Sequence, residues 1–446
     1  MERELLGRPG GRSELPVGVR PWIRPTGGSP AEQREVGDEV RLLVGLHHLE
    51  LGGSQLNALD LAVSVRDQGH EVVIFGNYQD EPGPVAELAR QAGLPVIAVR
   101  HRAERLGRTM PLRPGLSRAL NRAVREFRAD LVHAYEYSVA LDAFYGPHLR
   151  FGTPVVTTVY GMQVPRWMPR YGSLIVGTAQ LVAETAAFRP PPALIEPPVK
   201  TDFDDPAVVD GQPFRQQHGI RPEDIVIGVV SRLEPEMKAE GVLRAIRALR
   251  LLDDDRLRLV VTGGGPALPD VAAEAERANS ALGRPAVVLT GPMDDPRPAY
   301  AAADIALGMG GSALRAMAFG RPLVVLGING FSRTCAPETI DYFLRWGFYG
   351  IGEGDLDPAP LAAQIAELAG DPGLRVERGG WGRRLVLGRF SLKAATQTLQ
   401  EVYTEALRHR PVPGFRLREG LRVAGHKATA DLLPATARQR IRQVLG

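Results

Sequence analysis

The chain contains one cysteine, Cys335, in 446 residues. An internal disulfide and a cysteine-built metal cluster are therefore excluded, and a reducing cytoplasm is the expected setting. Long hydrophobic runs are also missing. No apolar stretch approaches the roughly 18 residues that a membrane span requires, and the start MERELLGRPGGRSELPVG lacks the apolar core of a signal peptide. Only peripheral contact with a membrane stays open. The net charge is +3, and the aromatic content of 6% leaves little to interleave with basic residues, which argues against nucleic acid as a partner. Lysine is nearly absent: Lys200, Lys238, Lys393 and Lys427 stand against 50 arginines. Each lysine is thus a position where the usual cation was not used.

What is present suits two domains and large buried cores. Residues 1–38 are rich in Gly, Pro, Arg and Glu without an apolar period and read as a disordered extension. From Val40 short apolar runs alternate with helical stretches: VRLLVGL, EVVIF, PVIAV, DLVHAY, PVVTTVY and SLIVG read as buried parallel strands. SQLNALDLAVSVRDQGHE, between the first two, carries a helical stripe that Gly69 ends. A proline-dense, acidic connection near residue 200 separates this series from a second one, with strands DIVIGVV, LRLVVTG, AVVLTG, DIALG, PLVVLG and FYGIG. The expected fold is α/β: two doubly wound, Rossmann-like parallel sheets, over residues 39–200 and 201–388, facing across a cleft. A helix over 389–410 is expected to pack back across both domains, followed by a basic tail over 411–446.

Candidate site residues cluster at strand ends. In GVVSRLEPEMKAEG, Arg232 and Lys238 flank one strand-to-helix loop and can converge on a diphosphate, the first as a fork and the second as a point charge. A solvated pair balanced by Glu234, Glu236 and Glu240 is the plainer alternative. Gly264, within TGGGP, and Gly52-Gly53, before Ser54, permit close approach of backbone to a ligand, although glycine runs also serve as plain turns. His133 at a strand end either faces an acceptor or is a satisfied core residue. His47 and His48 have no third ligand at metal spacing, so no metal site is expected. No Gly-x-Ser-x-Gly elbow is present, which disfavours hydrolytic chemistry.

ALGMGGSALRAMAFGRPLVV poses a sharper question. Ser312 is the expected helix cap, Gly320 the left-handed stop and Pro322 the barrier to continuation. Arg315 then falls in the first turn, where a cation opposes the helix dipole by about 0.3 to 1 kcal/mol. Two readings follow. Either a diphosphate sits on the amides of Gly310 and Gly311 and Arg315 adds charge there or grips a carboxylate on the sugar, or Arg315 pairs with an acid such as Glu338 or Asp341. Glu338 is also a candidate acceptor for a ribose hydroxyl.

From LELGGSQLNALDLA through SRL, MKAEG, TGGGP, AYAAADIAL and RAMAFGRPLVV to GRRLVLGRFS, the chain resembles the retaining, nucleotide-sugar-dependent glycosyltransferases of the GT-B fold over about Val40 to Leu407. The resemblance implies transfer of a sugar from a nucleotide diphosphate donor to an acceptor with retained configuration. It implies further that Arg232 and Lys238 clamp the departing diphosphate without a metal or other cofactor, with Gly53 beneath the donor. Where such enzymes place two glutamates eight positions apart, this chain has Leu307 and Arg315. Tyr160 stands where a histidine commonly contacts the donor sugar. A non-catalytic nucleotide- or carbohydrate-binding protein and a sugar-nucleotide epimerase are the alternatives. Donor base, sugar, acceptor and oligomeric state are left open.

Overall fold

A computed structural model of the chain describes residues 39–101, 113–161, 163–409 and 413–432. The extension expected over residues 1–38, and part of the tail expected over 411–446, lie outside them.

The first sheet is all parallel. It comprises β1 (Arg41–Leu46), β2 (Glu71–Tyr78), β3 (Val96–Arg100), β4 (Leu131–Tyr135), β5 (Val155–Val159), β6 (Ser173–Val176) and β7 (Ala193–Leu194). Their spatial order is β3-β2-β1-β4-β5-β6-β7. Because successive side chains of a strand point to opposite faces, Leu42, Val44 and Leu46 of β1 enter one core cluster and Leu43 the other. Both faces of the sheet are therefore covered, which is why these strands read as unbroken apolar runs.

The second sheet comprises β8 (Ile225–Val230), β9 (Leu257–Thr262), β10 (Val287–Gly291), β11 (Ile305–Gly308), β12 (Leu323–Leu326) and β13 (Ser332–Cys335), ordered β10-β9-β8-β11-β12-β13. Here the expectation for FYGIG fails. Phe348 has φ of 57° and Gly347 of 79°, conformations a strand does not use, and only Ile351 forms an isolated bridge, to Ile328. The edge is instead β13, short and antiparallel to β12. Two tandem Rossmann-like sheets make up the fold.

The chain crosses between lobes twice, and the crossings are joined. Val199 N–H donates to Phe390 O (2.8 Å), and Leu392 N–H donates to Val199 O (2.9 Å). The helix Leu392–Arg408 is capped by Ser391, whose side chain accepts from the Ala394 amide. It seats Leu399, Tyr403, Ala406 and Leu407 in the core of the first lobe, so it packs on that lobe and does not lie across both. The helix Pro413–Leu432 also returns to the first lobe, where Tyr145 Oη donates to Gly420 O (2.8 Å).

Strand order reverses between β1 and β4 in one sheet and between β8 and β11 in the other. Doubly wound sheets bind ligands at such switch points, beyond the carboxyl ends of the strands. The loops and helix starts after these four strands hold Gly52, Gly53, Glu136, Arg232, Lys238, Gly310 and Gly311.

Candidate functional site

The helix Gly53–Arg66 starts without a side-chain cap, its Ncap Gly52 being fully extended. A Cβ built on Gly53 would meet nothing within 4 Å, so the helix N-terminus opens onto free space. Across that space stands Arg232, whose Nη1 donates to Leu51 O at 3.5 Å, one residue before Gly52. The guanidinium of the second lobe thus points into the gap and touches the first. Lys238 follows as the Ncap residue of the helix Ala239–Leu252. Its ammonium has no ion-pair or hydrogen-bond partner among the described residues. Burial and the nearby Arg232 charge both lower its pKa, with Glu234 opposing them. The two cations are thus close enough for one charge to act on the other, and an anion between them would relieve that repulsion.

What holds Arg232 in place is a pair of glycines, used differently from the ligand role expected of their run. Ser231 N–H donates to Thr262 O (3.0 Å), and Leu233 N–H donates to Gly264 O (2.9 Å). Gly263 has φ of 137°, and a Cβ there would lie 1.9 Å from Ser231 O. Gly265, with φ of 147°, is equally closed, its Cβ falling 2.8 Å from Leu233 O. Gly264 itself has room, because its Cβ would meet nothing closer than Pro292 at 3.5 Å. The run is first a close contact between two loops.

Two residues expected near substrate are turned inward. His133 is buried, with Nδ1 2.7 Å from Tyr403 Oη and Nε2 2.7 Å from Thr158 Oγ1. Burial lowers its pKa to about 3, so it is a neutral, satisfied core residue and not an acceptor contact. Tyr160 packs its ring against the core of the first lobe and buries its hydroxyl, which has no partner there. Desolvation raises its pKa.

The residue that was missed is Glu136. It follows β4 with φ of 68° and ψ of 158°, a conformation that costs a non-glycine residue about 1 to 3 kcal/mol. Its Oε1 accepts from Ser54 Oγ (3.2 Å) and from the Tyr160 amide (3.1 Å), and burial raises its pKa. The signal was an acid directly after the apolar run DLVHAY. Behind it, Gln55 Nε2 lies 3.1 Å from His47 Nε2 and 3.0 Å from a ring nitrogen of His48. Burial, then His48 and Arg113, lower the His47 pKa to about 4. Among the described residues no group of His, Cys, Asp and Glu is arranged to hold a metal ion.

Two family profiles match the chain, one per lobe: "Glycosyl transferase 4-like domain" over residues 52–195 and "Glycosyl transferases group 1" over 224–371. The chain belongs to the GT-B glycosyltransferases. Its fold is that of a glycosyltransferase from Rickettsia africae, with a TM-score of 0.65 at 16% identity over 83% of this chain and 100% of that one. HepE of Anabaena, solved with UDP, gives 0.61 at 18% over 82% and 100%. Starch synthase IV of Arabidopsis thaliana, solved with ADP and acarbose, gives 0.56 at 15% over 83% and 100%. No curated protein matches by sequence.

In this glycosyltransferase the loop after β11 differs from expectation. The helix runs Gly311–Ala318 and its Ncap is Gly310, with φ of 55°. Ser312 does not cap it: its Oγ donates to Met309 O at 3.0 Å. Nor is the Gly310 amide free for a phosphate, since it donates to Phe348 O (2.8 Å). The space before Gly310 and Gly311 is nonetheless open, a Cβ on either meeting nothing within 4 Å. Leu307 is buried in the second core. Arg315 donates from Nε to Asp204 Oδ2 at 3.0 Å, so its partner is an acid of the interlobe connection, not Glu338 or Asp341. Glu338 instead accepts from Arg378 at 2.9 and 2.8 Å, beside Thr339 and Gln364 behind β13. The helix-terminus conflict expected of Arg315 does not arise: the helix starts at Gly311, so Arg315 lies in its last turn, where a cation suits the dipole, and the fully buried Asp204 carboxylate pairs with it there.

Proposed function

We propose that the chain transfers a sugar from a nucleoside diphosphate donor to an acceptor hydroxyl with retained configuration, without a metal ion, using Arg232 and Lys238 as the clamp. The observation that carries this reading is the convergence of an arginine that crosses the cleft and a lysine without a counter-ion, opposite the open N-terminus of Gly53–Arg66. As the bond between the anomeric carbon and the diphosphate breaks, negative charge grows on the leaving phosphate. Fixed cations there stabilise the transition state more than the ground state. Gly53 leaves room for the phosphates, Gly311 keeps an open helix start on the far side, and Glu136 presents a carboxylate to the acceptor side.

HepE was solved with UDP, which makes uridine nucleotides the first donors to test. A thermal-shift screen of uridine, guanosine and thymidine diphosphates should show stabilisation by one of them, since a ligand of the folded state raises its melting temperature. With the matching diphosphate sugar, Arg232→Ala should lower transfer or donor hydrolysis by about 10² to 10³. Undiminished turnover in that variant refutes the clamp.

A further inference from the structure

The helix Pro413–Leu432 is amphipathic in the reverse sense. Three of its charged side chains face the protein: Arg416 Nη1 donates to His148 O (2.8 Å), Glu419 Oε1 accepts from the Arg170 amide (2.6 Å), and Arg422 Nη2 donates to Met168 O (2.7 Å). These three contacts, with Gly420 against Tyr145 and the buried Val423, fix the helix by its polar face. Three of its large apolar side chains are left outward, Phe415 50%, Leu417 64% and Leu421 71% exposed. Rotating the helix to bury the leucines would break all three contacts, so the exposure is built into the docking.

The surface beside this strip is basic. Gly420 and Arg416 lie against Leu149 and Gly152. Arg150 and the exposed Phe151 of the same short segment line a surface pocket with Arg118, Arg122 and Arg125. Glu126 is its one acid and is occupied by Arg122 at 2.7 Å. Arg418 adds a further outward charge next to Leu417. In a chain of net charge +3, this concentration is local. Tyr171, 6.2 Å from Phe415 ring to ring, extends the strip with an aromatic of the kind that favours a water–lipid boundary.

We propose that this face of the first lobe docks on an anionic phospholipid surface, with Phe415, Leu417 and Leu421 entering the headgroup boundary and the arginines neutralising lipid phosphates. An apolar strip flanked by cations, on a helix that crosses no membrane, fits an interfacial anchor. A protein partner would need its own acids matched to these arginines. A bilayer supplies them at any register.

The test is co-sedimentation of the full chain with vesicles. Protein should pellet with vesicles in which about a third of the lipid is phosphatidylglycerol, release as salt is raised, and remain in solution with pure phosphatidylcholine. The double variant Leu417→Ser, Leu421→Ser should lose about tenfold in bound fraction at unchanged melting temperature, because neither leucine packs on the fold. Absence of binding to the anionic vesicles, or equal binding to neutral ones, overturns the proposal. So does a concentration-dependent dimer that the double variant dissolves, which would assign the strip to a second copy of the chain. None of these outcomes depends on sugar transfer.

Discussion

Asp204 and Arg315 are joined across 111 positions of sequence, and each explains the other. Arg315 is fixed in the last turn of its helix by a carboxylate beside it, and Asp204 stays buried because a guanidinium pairs with it. Burial raises the Asp204 pKa while Arg315 opposes the rise. Removing the cation leaves a buried acid with Oδ1 already unpartnered. Arg315→Met should therefore destabilise by about 1 to 3 kcal/mol, measured by denaturant unfolding. Arg315→Glu should cost more, since it sets two carboxylates together, and adding Asp204→Asn should recover part of the loss. Equal stability of the two single variants would show that the pair contributes little. The buried histidines give a second residue-scale expectation. With pKa values of about 3 for His133 and about 4 for His47, both below the ordinary 6.5, the unfolded chain binds more protons in the interval between. Stability should be full above pH 6.5 and fall as pH drops toward those values. A melting temperature followed over pH 7 to 4 checks this, and His133→Gln should show the shallower decline.

At the scale of elements, the two sheets were legible because parallel strands buried on both faces give continuous apolar runs, while FYGIG shows where that logic stops. Its apolar and aromatic residues pack as the runs do, but two consecutive left-handed residues turn the chain. Polar SRTC at the edge gave no apolar signal and became β13. The strand-to-helix loop that carries Arg232 and Lys238 was legible, yet its support was not, since the contact between residues 231–233 and 263–265 joins two strand ends that only the folded sheet brings together. The glycines separate these roles experimentally. Gly263→Ala would drive a Cβ into Ser231 O and displace Arg232, so activity should fall with stability. Gly264→Ala has room and should change stability by less than about 0.5 kcal/mol. If Gly264→Ala nevertheless weakens nucleotide binding in the thermal-shift assay, the donor passes beside it. Partners of His133, Tyr160 and Arg315 lay outside sequence reasoning because each is set by packing between distant segments.

For the whole molecule, the lobes are joined by named contacts. Lys200 Nζ lies 2.5 Å from Asp60 Oδ1, Arg389 holds Glu196 at 2.8 Å, and Arg345 Nε donates to Gln180 Oε1 at 2.7 Å. Lys200 belongs to the connection itself, so Lys200→Ala should loosen the relative placement of the lobes more than it weakens either core. Small-angle scattering should then report a larger radius of gyration with little change in melting temperature. An unchanged scattering curve would mean that the other two contacts suffice. The guanidinium contact with the Leu51 carbonyl is of another kind, since 3.5 Å is the outer limit of a hydrogen bond. On the proposed reading a nucleotide competes for that same guanidinium, so the front latch between the lobes must unfasten before the substrate can become the latch. Capture of donor is then a two-step event, and its rate should level off at high donor concentration at the speed with which Arg232 lets go of Leu51.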